Sequence, residues 1–127
     1  MAYFHDLGTI TVLTAADLSS SKYRIMKGGS ADRTVAAATD ASAACIGVTT
    51  DQVANGSSTA APVSMQIAGI AKVEAGGTVT RFTAQKATTG GKCTDASSGD
   101  YIIGYAMESG TADGTIPVLL TPGVKLP

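Results

Sequence analysis

The chain contains no tryptophan, and two phenylalanines and four tyrosines hold its aromatic share to 5%. Ligand pockets are usually lined by aromatic and large aliphatic side chains, so a lipocalin-like ligand barrel lacks material here. Charge is scarce too, at 15% against roughly 25% in ordinary soluble domains. Ten acidic and nine basic side chains leave a net charge of −1. A nucleic-acid binder needs surplus Lys and Arg to release counterions from phosphates, so no nucleic-acid partner is expected. No run approaches the roughly 20 apolar residues of a membrane helix. The opening "MAYFHDLG" has neither the basic start nor the apolar stretch of a secretory leader. Synthesis in the cytoplasm and no membrane partner are the expectations.

Residues able to do chemistry are equally few. His5 is the single histidine and stands beside Asp6 near the terminus, whereas a Ser-His-Asp or Cys-His site needs its members locked by a surrounding shell. Cys45 and Cys93 form no CxxC or zinc spacing and are expected as packed free thiols. The acidic residues are scattered singly among turns, with no HExxH, EF-hand or paired-carboxylate pattern. "KGGS", "EAGGT" and "TTGGK" lack the Walker lysine spacing and the GxGxxG pattern before a helix. No catalytic residue, cofactor or metal is expected. The chain reads as a binding or structural module and not as an enzyme.

What the chain does have is small apolar side chains and turns. At 127 residues, 44% hydrophobic and with 15 glycines, it fits one domain with a thin core built largely of Ala, Val and Ile. Period-2 alternation dominates. Strands are expected at "TITVL" (9–13), "KYRIMK" (22–27), "RTVAA" (33–37), "ACIGVTT" (44–50), "PVSMQIAGIAKVE" (62–74), "GTVTRFTA" (77–84), "YIIGYAM" (101–107) and "TIPVLL" (115–120). In "KYRIMK" the alternation sets Tyr23 and Ile25 opposite Lys22, Arg24 and Met26. Clusters such as "ANGSS", "TTGGK", "SSGD" and "ADG" mark turns. "TAADLSSSKY" offers Thr14 as an N-cap but too many serines for more than a turn or two of helix. The expected fold is all-β: a small barrel-like, β-tulip or sandwich domain with at most one short helix and an extended N-terminal arm.

One order of residues occurs twice. Thr-Asp-Ala-Ser at 39–42 and 94–97 is followed by Ile46-Gly47 and Ile103-Gly104, then by Pro62-Val63 and Pro117-Val118, then by Gly69 and Gly123. The offsets are 55, 57, 55 and 54 residues. Asp40 and Asp95 are expected to cap turns through backbone amides. Gly47 and Gly104 interrupt apolar strands and are expected to mark a bulge or a close backbone approach. Proline has no backbone donor and suits a strand's first residue. The expected organisation is an arm and lead-in strand over 1–21 and a β domain over 22–127, with a pseudo-repeat at about 38–69 and 93–123.

The stretch from 22 to 123 resembles the small capsid decoration, or cement, proteins of tailed bacteriophages. "AACIGVTTDQVANG", "IAGIAKVEAGG" and above all "GDYIIGYAMESGTADGTIPVLLTPG" carry the resemblance. One departure is local: many members have a Gly-Asp pair after the "AGG" turn where this chain has Arg81-Phe82. The resemblance implies a protein on the outer surface of an icosahedral head, bound to the major capsid protein, often as a homotrimer at three-fold or quasi-three-fold positions. There it would hold neighbouring capsomers together. The alternative from another class is a receptor- or carbohydrate-binding β-module on a virion or cell surface, which needs an exposed aromatic platform.

For capsid binding, the expected contacts are Phe4, Leu7, Ile10 and Val12 in "FHDLGTITVL" and the basic residues Lys22, Arg24 and Arg33. The first group alternates like a strand, able to pair with an exposed edge on the capsid protein or to form an ordinary edge strand of the domain. Deleting 2–13 is expected to leave a folded protein that no longer binds heads. The basic group, with Lys27, is either a solvated strand and turn or a patch for an acidic partner.

Overall fold

The computed structural model describes residues 8–14, 22–50 and 61–127. Among these residues ten antiparallel strands form two five-stranded sheets, and the fold is all-β. The first sheet holds β1 (Thr9–Thr14), β2 (Ile25–Gly28), β3 (Val35–Ala37), β4 (Cys45–Thr49) and β5 (Ala61–Gln66) in the order β1-β5-β4-β2-β3. The second holds β6 (Ile70–Glu74), β7 (Ala84–Thr88), β8 (Lys92–Asp95), β9 (Tyr101–Ala106) and β10 (Thr115–Lys125) in the order β6-β10-β9-β7-β8. Counted within each sheet, both orders run first, fifth, fourth, second, third. The first and third strands of each sheet also approach through a parallel bridge, Leu13 to Thr34 and Ala75 to Cys93, which curls each sheet toward closure. A short 3-10 turn spans Thr89–Gly91. Most of the candidate helix at 14–23 lies outside the described residues.

Several strand expectations need correction. "KYRIMK" becomes a strand only from Ile25, and its alternation fails because Ile25 and Met26 are both fully buried. Met26 packs with Val35, Val63 and Met65 inside the first sheet, while Ile25 joins Cys45, Val48 and residues of the second sheet in the larger core. A strand between two cores buries both faces. The run at 62–74 breaks into β5 and β6 around Gly69, whose φ of 82° lies in the left-handed region that glycine enters without penalty. In "GTVTRFTA" Val79 pairs in an isolated bridge to Gly110, and a strand, β7, starts only at the last residue, Ala84.

The two Ile-Gly pairs sit at corresponding places. Gly47 of β4 pairs with Met26 and Gly104 of β9 with Gln85. A Cβ on Gly47 would stand 2.6 Å from the carbonyl oxygen of Gln66 in β5, and one on Gly104 would run into the carbonyl of Leu119 in β10. Both glycines let a strand lie close against its neighbour, and a register shift adjoins each. Gly123, the partner of Gly69 in the repeated order, also has a positive φ, 85°. The Thr-Asp-Ala-Ser copies are not alike. Asp40 caps a turn, accepting from the Ser42 N–H at 2.8 Å. Asp95 ends β8 and accepts instead from the Thr80 N–H, the Thr80 hydroxyl and the Gln85 amide, at 2.9, 2.7 and 2.8 Å. Its turn-capping expectation is therefore corrected: Asp95 ties a distant loop to the β7–β8 hairpin.

Candidate docking surface

The residues expected to meet a partner scatter over the first sheet. Phe4 and Leu7 lie outside the described residues. Ile10 and Val12 share edge strand β1, which pairs with β5 over six residue pairs. Thr9–Thr14 is thus an ordinary edge strand of the domain, and removing residues 2–13 would take out most of it. Val12 packs against the Met26–Val63 cluster. Ile10 is 37% exposed and lines a shallow apolar groove of about 470 Å³ with Ile46, Ile67, Pro122 and Gly123.

Of the basic residues, Lys22 is exposed, with its ammonium 5.0 Å from the Tyr23 ring centre. Arg33 is exposed with φ 60° at the tip between β2 and β3, and its carbonyl accepts from the Leu13 N–H at 2.9 Å. Arg24 works inside the fold. Its guanidinium pairs with Glu74 at 2.7 Å and donates to the Gly90 carbonyl at 2.9 Å, joining the first sheet to the end of β6 and the β7–β8 tip. Lys92 extends this network to Glu74 at 3.5 Å and Asp113 at 2.9 Å. The hydrogen bond to Asp113 holds the Lys92 pKa up, and that from Lys92 holds the Asp113 pKa down.

The surface missed by sequence reasoning lies on the second sheet. Ile70, Leu119 and Tyr105 face one another across β6, β10 and β9 in register and are 56%, 42% and 40% exposed. Phe82, whose N–H donates to the Ala106 carbonyl at 2.7 Å, is 68% exposed with φ 63°. A bulky side chain in the left-handed region is unusual and strained. Glycine or aspartate would adopt that conformation more readily. The alternation at 77–84 gave no signal of it, since the sign of φ leaves no trace in hydrophobic periodicity.

The site has little reactive chemistry. Burial pushes the Cys45 thiol up to about 11 and the Cys93 thiol up to about 12, which keeps both protonated and poorly nucleophilic at neutral pH. No cluster of three or more metal-ligating side chains occurs among the described residues. Burial alone would raise the Asp95 pKa, but hydrogen bonds from Thr80 and Gln85 outweigh it and the net shift is downward. Asp100 is also lowered, chiefly by the Ser97 N–H. A depressed carboxyl pKa stabilises the fold above the unfolded value of about 4, and that contribution disappears as pH falls through the folded value. Thermal stability is expected to be flat from neutral pH to about pH 4 and to drop below it. The drop should be shallower in Asp95→Asn, as thermal melts across pH 2–7 would show.

No protein-family model matches the chain, and no curated protein matches it. Its fold is similar to that of the N base of head fiber gp8.5 of bacteriophage phi29, known from a crystal structure. The TM-score is 0.64 at 16% identity, covering 94% of this chain and 98% of that one.

Proposed function

We propose that the chain is a structural virion protein that binds the outer surface of an icosahedral phage head and bridges neighbouring capsomers. The observation that carries the proposal is fold likeness to a phage head-fiber base across nearly the whole of both chains. The decoration-protein resemblance of residues 22–123 points the same way independently. The partners are the major capsid protein and further copies of this chain, as a homotrimer at three-fold or quasi-three-fold positions. The protein has no catalytic role. A surface low in charge and rich in small residues approaches other backbones closely, and many modest contacts on one shell act multivalently.

Among the expected contacts, Ile10, Lys22 and Arg33 present side chains outward, whereas Val12 and Arg24 are engaged within the fold. Phe4 and Leu7 complete the docking set. Removing residues 2–7 deletes Phe4 and Leu7 and none of the described strand pairs, so it tests capsid contact without removing an edge strand. Cosedimentation with purified heads is expected to fall at least tenfold for this truncation, and several-fold for Lys22→Ala/Arg33→Ala. Wild-type binding should weaken as salt rises from 50 to 300 mM, because exposed charge pairs are screened. Unchanged occupancy for both variants at every salt concentration would refute the assignment.

A further inference from the structure

The strand registers superpose the two sheets residue on residue. The Tyr23 N–H donates to the Thr49 carbonyl at 2.9 Å and the Thr49 N–H returns to the Arg24 carbonyl at 2.9 Å. In the second sheet the Phe82 N–H donates to Ala106 at 2.7 Å and the Ala106 N–H returns to Thr83 at 3.1 Å. Thr49 and Ala106 both stand two residues past the close-approach glycine. Tyr23 and Phe82 both have positive φ, 61° and 63°, and each carries a cation over its ring, Lys22 or Arg81. Ile25 paired with Val48 corresponds to Ala84 paired with Tyr105. The β7–β8 tip, with Gly90 and Gly91 at φ 76° and 77°, corresponds to the β2–β3 tip, with Arg33 at 60°.

The two faces have different fates. In the first sheet, Ile25 and Val48 are buried in the core shared with the second sheet. Tyr23 lies in a cleft of about 390 Å³ with Lys72, Thr115 and Pro117, and its carbonyl accepts from the Glu74 N–H at 3.0 Å. Gly91 sits so near that a Cβ on it would be 2.7 Å from the Ile25 carbonyl oxygen. In the second sheet the same face leaves Phe82 and Tyr105 68% and 40% exposed. The contact within the chain is head to tail, so its second half ends on an unfilled copy of the face its first half has filled.

We infer that the Phe82–Ala84–Tyr105 face docks onto the first sheet of a second copy of this chain, repeating between chains the contact that Tyr23, Ile25 and Val48 make within one. By register, Thr11 of the second copy stands where Lys72 does, Ser64 where Pro117 does and Pro62 where Thr115 does, with the Asp32–Arg33 tip in place of Gly90–Gly91. Thr83 stands where Arg24 does, so the Arg24–Glu74 ion pair is not repeated and the contact between chains is the weaker one. A head-to-tail contact generates a ring where its rotation closes, and three chains would present six related sheets. The inference rests on the self-association proposed above and not on capsid binding.

Analytical ultracentrifugation of the full chain from about 10 μM to 1 mM tests it without heads. The wild type should exceed monomer mass as concentration rises. Phe82→Gly should weaken association at least tenfold while melting no lower, because glycine tolerates that φ. Phe82→Tyr, the residue the first sheet uses, should retain association. Mixed under oxidation, a Phe82→Cys chain and a Pro62→Cys chain should form the mixed disulfide in preference to either homodimer. A monomeric wild type at 1 mM, wild-type association by Phe82→Gly, or dominant Phe82→Cys homodimers would each overturn the inference. So would a glycan array on which the wild type binds and Phe82→Gly does not, with self-association unaltered.

Discussion

Gly104→Ala is expected to yield little folded protein. The added methyl would meet the Leu119 carbonyl and the Leu120 backbone, and neither can turn aside as a flexible side chain would. Relief requires β9 and β10 to separate where their hydrogen bonds hold the second sheet together. Overpacking of this kind costs typically 1–3 kcal/mol, and more where backbone must move, so about 4 kcal/mol is anticipated. Gly47→Ala is expected to cost somewhat less, because part of its obstruction is the flexible Met65 side chain. Gly99 is the control: a Cβ there meets nothing within 4 Å, and only its φ of 87° opposes alanine. Denaturant unfolding of the three variants should rank them Gly104, Gly47, Gly99 from largest loss to smallest.

The second large effect belongs to Ile25. Its side chain is fully buried in the cluster that joins β4 to β6, β9 and β10, where small neighbours such as Ala71, Ala75, Ala87 and Ala106 have little reach to fill a void. Ile25→Ala should therefore cost 2–5 kcal/mol, with a loss of roughly 10 °C in Tm. Ile10→Ala, on the exposed side of β1, should cost under about 1 kcal/mol. Calorimetry comparing the two tests whether the sheets share one core. A split into two transitions in Ile25→Ala would locate its effect between them.

The limits of the sequence are physical. β1 and the first half of β10 were legible because Ile, Val and Leu alternate there with other residues, and β4 and β9 because each carries Ile-Gly in an apolar run; Gly47 and Gly104 fall where strands crowd, whereas Pro117, expected at a strand's first residue, is the third residue of β10. β7 and β8 were not, because their buried residues are Ala84, Gln85, Ala87 and Cys93, which do not stand out in a chain this rich in alanine. "KYRIMK" misled because periodicity assumes one buried face, and β2 has two. The repeated order foreshadowed the matched Ile-Gly positions but overstated the Asp pair, since Asp40 and Asp95 answer to different partners. Of the expected contacts, Ile10, Lys22 and Arg33 have exposed side chains. Arg24 looked like a surface cation until Glu74 and the Gly90 carbonyl were brought to it from residues far along the chain. Phe82 and Tyr105 were unreadable as a pair, because only the strand register puts them on one face.

The central claim is attachment to the outside of a phage head. The most direct measurement is a cryo-electron reconstruction of purified phage heads with and without saturating purified protein. The account predicts added density on the outer surface at three-fold or quasi-three-fold positions, spanning capsomer boundaries and fitted by the two-sheet fold. Identical outer surfaces in the two reconstructions, or density confined to the tail, would contradict it.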